Sequence, residues 1–206
     1  MPYNQINLDE KYLIYSPSGG FNNQREELES AVEVAFLLNR TLFVPMAGKH
    51  TSFWMRYGML RPERNEVVPM DHVLDLDYLG SYETGVRLVP LNNTIYRLVS
   101  NFVKVFGPKS VSMISPKDMK SAEVLKLRSN RQPLIYLHGK GMYHLFFAIS
   151  TMVKVRRRTR YAPHMRQMAL RVAMHTFPEG FDFVFLPTIL FSPYYRLSPC
   201  SNNHEK

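Results

Sequence analysis

Ser16-Pro-Ser-Gly-Gly-Phe-Asn-Asn-Gln-Arg25 is the stretch of this chain whose residue types and spacing could do chemistry. Gly19 and Gly20 let the backbone approach a ligand closely. Asn22 and Asn23 bring hydrogen-bond donors and acceptors together. The flanking segments differ sharply. Lys11-Tyr-Leu-Ile-Tyr15 is short, apolar and β-prone. From Gln24 to Arg40, apolar residues at Leu28, Ala31, Val32, Ala35, Phe36 and Leu38 follow helical spacing. Strand, glycine turn and helix in that order set backbone N–H groups at a helix N-terminus, where an anion is favoured. The chemistry implied is the handling of a nucleotide or sugar phosphate.

The elements that must hold this turn in place can be read from the same pattern. Glu26, Glu27 and Glu29 are expected early in the helix, where its dipole favours negative charge. Thr41-Leu-Phe-Val44 reads as a second buried strand, stopped by Pro45. These pieces make a βαβ unit, and ligands of such sheets collect beyond the carboxyl ends of the strands, where Gly19 to Asn23 lies. Asp71 to Leu79 is expected as a short helix, with Asp75 and Asp77 as surface or capping residues. Further expectations are a strand over Gly85–Val89 ended by Pro90, a helix over Pro116–Leu127, a strand over Pro133–His138 and a helix from about Pro163 to His175. The fold class predicted is α/β, with a mostly parallel Rossmann-like sheet and flanking helices.

Other chemistry-bearing groups have weaker spacing. His138-Gly-Lys-Gly141 lacks the length and the Lys-Ser/Thr end of a phosphate-binding P-loop and reads as a turn at a strand end. The histidines are scattered, so no metal site is expected. There is no Gly-x-Ser-x-Gly elbow and no Cys/His pair for nucleophilic catalysis. Lys49 to Gly58 mixes aromatic and basic residues, as a cleft loop or a surface loop anchored by Phe53 and Trp54 would.

Several blocks resemble the GDP-fucose protein O-fucosyltransferase family. They are Ser18-Gly-Gly-Phe-Asn-Asn-Gln-Arg25 with its Glu-rich helix, Leu37-Leu-Asn-Arg-Thr-Leu-Phe-Val-Pro45, Met70-Asp-His-Val-Leu-Asp-Leu-Asp-Tyr-Leu79 and Tyr161-Ala-Pro-His-Met-Arg166. The resemblance covers roughly residues 11 to 185. It implies a GT-B glycosyltransferase, with two Rossmann-like domains across a cleft and inverting transfer of fucose from GDP-fucose to Ser/Thr hydroxyls of a folded protein acceptor. GDP-fucose is then the donor substrate, and no separate cofactor is implied. The family's donor loop falls on Gly20, Phe21, Asn22 and Asn23; with Gly19 in the same turn, these are the candidate substrate-binding residues. The family also carries a His-x-Arg motif on the first strand of its second domain, whose Arg binds the donor phosphates. Phe181-Asp-Phe-Val184 fits the start of that strand, but no His-x-Arg follows it. One branch has an acidic base in the loop, where this chain has Gly19 and Gly20; the nearest carboxylates, Glu26 and Glu27, are in the helix. The catalytic residues are therefore not identified.

The expected layout is an extension over residues 1–10, a Rossmann-like first domain over 11–160, and a linker helix with the start of a second domain over 161–206. With the second domain largely absent, the expectation is a truncated form with little or no transfer activity. The alternative is a non-enzymatic Rossmann-like module that binds a ligand or partner. A third reading is nucleic-acid binding, suggested by a net charge of +9 and the run Lys154-Val-Arg-Arg-Arg-Thr-Arg160. Nothing like a recognition helix or an RNP motif accompanies that run, so it reads as a solvated loop or helix end and no nucleic acid is expected.

At 206 residues and 45% apolar, the chain is long enough for one domain with a sizeable core. No run of eighteen apolar residues occurs, so no spanning helix is expected. The resemblance implies the lumen of the endoplasmic reticulum or Golgi. No targeting signal is visible at the start, which leaves the cytoplasm as the alternative. The single Cys200 says little about compartment, and Asn39-Arg-Thr41 and Asn92-Asn-Thr94 are sequons.

Overall fold

The computed structural model describes residues 7, 9–48, 67–80, 84–91, 94–117, 119, 121–138 and 160–176. They fall in two compact units, Met1–Pro163 and His164–Lys206. The first is built on strands β1 (Tyr12–Tyr15), β2 (Thr41–Val44), β5 (Leu88–Pro90), β6 (Val111–Ile114) and β7 (Leu134–Leu137). They form one sheet in the order β5-β2-β1-β7-β6, and every pairing in it is parallel. A short antiparallel pair, β3 (Ala47–Gly48) with β4 (Val67–Val68), stands beside it. The helices are α1 (Phe21–Leu38), α2 (Leu76–Leu79), α3 (Ile95–Phe106), α4 (Ser121–Lys126) and α5 (Pro163–Thr176). Of these, α5 supplies the described part of the second unit.

Parallel strands covered on both faces are apolar throughout, and β1 and β2 are buried at every position. Their alternate residues feed two cores. Leu13, Tyr15, Leu42, Val44, Ile135 and Leu137 pack with Leu28, Ala31, Val32 and Ala35 of α1. Tyr12, Ile14, Phe43 and Leu134 pack on the opposite face against Leu98 and Phe102 of α3. The result is an α/β/α sandwich, the α/β class expected from the sequence.

Several boundaries differ from the sequence reading. The helix α1 begins at Phe21 rather than Gln24, so Asn22 and Asn23 stand in its first turn. Glu26, Glu27 and Glu29 consequently lie beyond that turn, and Glu27 and Glu29 are buried. Met70, Leu74, Leu76, Leu79 and Val124 join the core around α1, covering it beyond a simple amphipathic stripe. The third strand runs over Leu88–Pro90, not Gly85–Val89; β5 is an edge strand, where a missing proline N–H costs no ladder bond. The helix expected over Pro116–Leu127 is confined to Ser121–Lys126, followed by a 3-10 turn over Leu127–Ser129. Asp71–Leu79 divides into a 3-10 turn over Met70–His72 and α2, which Asp75 caps by accepting the Tyr78 N–H at 3.1 Å. The sequence reading had neither α3 nor β6. Lys49–Gly58, Gly139–Gly141, Phe181–Val184 and residues 154–159 of the basic run lie outside the described residues.

The amino-terminal edge of the sheet is tied by Arg40. Its guanidinium donates to the carbonyls of Asn130 at 2.8 Å, Gln132 at 2.9 Å, Tyr12 at 3.2 Å and Pro133 at 3.4 Å. Burial lowers its pKa to about 10.

Candidate functional site

The chain leaves β1 for β2 and β5 on one side, then enters at the far edge through β6 and returns to β7 beside β1. The carboxyl ends of β1 and β7 therefore lie side by side in the middle of the sheet, on the edge where open α/β sheets place their ligands. Ser16 extends the pairing there by donating its N–H to Leu137 O at 3.1 Å, and its hydroxyl is 2.7 Å from that of Tyr136. His138 closes the next strand end, its N–H donating to Ile114 O at 2.9 Å, with its ring edge-on to Tyr136.

The turn after Ser16 has a fixed shape. Gly19 has φ +70°, a left-handed backbone conformation that favours glycine; a Cβ there would lie 2.6 Å from Nδ2 of the exposed Asn23 side chain, which would have to move. Gly20 is the N-cap of α1 and offers no side-chain cap. The first backbone bond of the helix runs from Gln24 N–H to Gly20 O at 3.0 Å. The N-terminus of an 18-residue helix thus opens directly on the carboxyl edge of the sheet. Gly19, Gly20 and Phe21 are half-buried, while Asn22 and Asn23 are exposed. All five sequence-derived residues are therefore brought together at one helix end.

Two buried side chains from the second turn of α1 reach back to this turn. Glu27 accepts the Ser18 N–H at 2.7 Å and the Ser18 hydroxyl at 2.5 Å. Gln24 bonds to Gly19 and Gly48. Desolvation raises the Glu27 pKa and outweighs the opposing hydrogen bonds from Ser18. The adjacent Tyr15 hydroxyl is fully buried, and its pKa is raised well above the ordinary value by burial and by the Glu27 charge. Glu27 holds the turn from beneath, with both carboxylate oxygens engaged by Ser18. The sequence places Glu27 only as a charge near the helix start, and it assigns no site role to Ser16, Ser18, Gln24 or Tyr136. The spacing Ser18 to Glu27 carries no general signal, because the contact depends on how the turn folds over the helix.

Two cavities lie elsewhere. One of about 670 Å³ opens at the amino ends of the strands, between Glu10, Lys11, Arg40, Arg87 and Arg128. Another of about 520 Å³ lies beside edge strand β5, between Asp71, Asp77, Gly80, Arg87 and Pro90. Among the described residues, no group of three or more His, Cys, Asp or Glu is placed to hold a metal ion. No described helix is long and apolar enough to cross a membrane.

A parallel sheet with its central strand feeding a glycine turn and a helix without a side-chain cap defines a Rossmann-like class of α/β domain. The family profile described as GDP-fucose protein O-fucosyltransferase matches residues 12–173, and the chain belongs to that family. It is 27% identical over 92 residues to O-fucosyltransferase 30 of Arabidopsis thaliana, covering 43% of this chain and 18% of that protein. It is 31% identical over 85 residues to O-fucosyltransferase 16 of the same plant, covering 41% and 13%. The chain thus matches less than a fifth of the length of either relative. A crystal structure of POFUT1 in complex with GDP shares the fold, with a TM-score of 0.52 and 14% identity. That similarity covers 81% of this chain and 54% of the other.

Proposed function

We propose that this chain forms the donor-side half of a glycosyltransferase that takes fucose from GDP-fucose to Ser/Thr hydroxyls of folded protein domains. Gly19, Gly20, Phe21, Asn22 and Asn23 hold the donor diphosphate. The observation that carries this reading is the N-terminus of α1, without a side-chain cap, at the carboxyl edge of the sheet behind a Gly19 whose φ of +70° favours glycine. Backbone N–H groups and the positive end of the helix dipole stabilise the charge that develops on a departing GDP. Asn22 and Asn23 supply side-chain hydrogen bonds to the same group. Membership of the family and the GDP complex of POFUT1 support the choice of nucleotide. Work on luminal protein acceptors in the secretory pathway follows from the same resemblance.

Titration of the chain with GDP, followed by calorimetry, tests this. The informative variant is Asn22→Asp. Asn22 is exposed in the first turn, so a carboxylate there suits the helix dipole and leaves stability unchanged or slightly raised. The same charge repels a diphosphate, so affinity for GDP should fall about tenfold or more. Equal affinity for the variant and the unaltered chain would remove the diphosphate from this helix end.

A second reading is ligand binding without transfer. It is favoured by Glu27, the buried carboxylate at the turn, whose two oxygens are taken by Ser18. GDP binding without GDP release from GDP-fucose, in the presence of a folded acceptor, selects this second reading.

A further inference from the structure

Gln24 occupies an unusual place beneath the turn. Its residue exposure is 3%, and its carboxamide has three backbone partners. Nε2 donates to Gly19 O at 3.0 Å and to Gly48 O at 2.7 Å, while Oε1 accepts the Gly48 N–H at 2.9 Å. A carboxamide carries a donor and an acceptor side by side, as a peptide unit does. Gln24 therefore docks on Gly48 as a short piece of strand would and spends its remaining N–H on the turn after β1. Gly19 lies between β1 and α1, whereas Gly48 ends β3, just beyond β2. One side chain thus joins the carboxyl-edge segments that follow two neighbouring strands.

We infer that Gln24 is a positioning residue. It couples the turn Ser18–Gly20 to the β3 segment, so that the first turn of α1 is presented to its ligand in one fixed orientation. This inference rests on the reading that the first turn holds the donor diphosphate. Gln24 acts through Gly19 and Gly48 and does not itself face the ligand. No other common side chain of this length replaces it. Glutamate keeps the acceptor for Gly48 N–H but sets a carboxylate against two partly buried carbonyl oxygens. Methionine keeps the volume and loses all three bonds. Orientation matters because an oriented N–H array binds an anion only if it is held at the right place before the ligand arrives.

The test uses the full chain with Gln24→Met and Gln24→Glu, and reads amide hydrogen exchange together with GDP affinity by calorimetry. The Gly48 amide reports the broken bond directly. The Ser18 amide is bonded to Glu27 and not to Gln24, so it reports coupling through the turn. The expected result in Gln24→Met is faster exchange, roughly tenfold, at Gly48 and Ser18 together, and in Gln24→Glu, which keeps the Gly48 acceptor but repels both carbonyls, faster exchange at Ser18; the Leu13 and Ile135 amides of the sheet stay unchanged in both. The GDP Kd should rise about tenfold in parallel. Faster exchange at Gly48 with Ser18 and the Kd unmoved overturns the inference, because Gln24 then anchors only its own partner. Faster exchange spread over Leu13 and Ile135 also overturns it, because the role is then general stability. If the unaltered chain shows no saturable GDP binding, the donor reading itself fails. The tie is then decided by exchange alone: joint loosening of Ser18 and Gly48 upholds it, and independent loosening overturns it.

Discussion

Glu27 and Glu10 are both partly withdrawn from water, yet their pKa values move in opposite directions. At Glu27, desolvation outweighs the two bonds from Ser18, and the pKa rises above its ordinary 4.5. At Glu10, desolvation is again the largest single influence. There the hydroxyls of Thr41 and Tyr12, with Arg87 at 2.7 Å, together overcome it and lower the pKa. A raised carboxylate pKa means that the folded state binds the proton more tightly than the unfolded state, so its contribution to stability is full below 4.5 and lost as pH rises through the folded value. For Glu10 the sign reverses: its contribution is present above 4.5 and lost as pH falls through the folded value. Glu27→Gln removes the first effect alone. In urea unfolding between about pH 4 and pH 7, the unaltered chain should lose stability relative to this variant as pH rises. A difference that stays constant, or changes with the opposite slope, contradicts the burial of this carboxylate.

Among the elements, α3 depends most plainly on packing. Thr94 caps its start, with Oγ1 accepting the Arg97 N–H at 3.4 Å. Phe102, fully buried, meets Tyr12 edge-on at 5.5 Å, Phe43 edge-on at 6.1 Å and Phe106 in a stack at 5.4 Å. Tyr12 and Phe43, from neighbouring strands, stack at 4.8 Å. Phe102→Ala should therefore cost about 3–5 kcal/mol of unfolding free energy in urea. A loss near 1 kcal/mol or less contradicts the aromatic cluster as the contact holding α3 to the sheet. The sequence Ile95 to Phe106 is rich in β-branched and aromatic residues, yet Ile95, Leu98, Val99, Phe102 and Phe106 fall at helical spacing behind Thr94, a signal that separates helix from strand and that the sequence expectations above do not use. The α1 helix was legible because Leu28, Ala31, Val32 and Ala35 repeat at helical spacing. Its first turn was not, because Asn22 and Asn23 are loop-prone in isolation.

Among the described residues, strand order places β1 at the centre, flanked by β2 and β7, with β5 and β6 at the edges. Leu13 and Ile14 are fully buried there, so their amides and those of β7 should exchange most slowly, with β5 and β6 opening first. Native-state hydrogen exchange followed by NMR checks this; faster exchange in β1 than in β6 contradicts the strand order. The sequence by itself determined the α/β class, the strands β1, β2 and β7, and the glycine turn before α1. These follow from local period, glycine placement and runs of buried apolar residues, which need no distant partner. Only the tertiary structure decided which strands are neighbours and that the carboxyl ends of β1 and β7 lie side by side. It also decided that Gln24 spans from Gly19 to Gly48 and that Glu27 is engaged beneath Ser18. The physical reason is that these contacts end on backbone atoms or on residues far along the chain. No residue type or local spacing encodes them; they arise when the sheet, by closing its hydrophobic faces, brings the strand ends together.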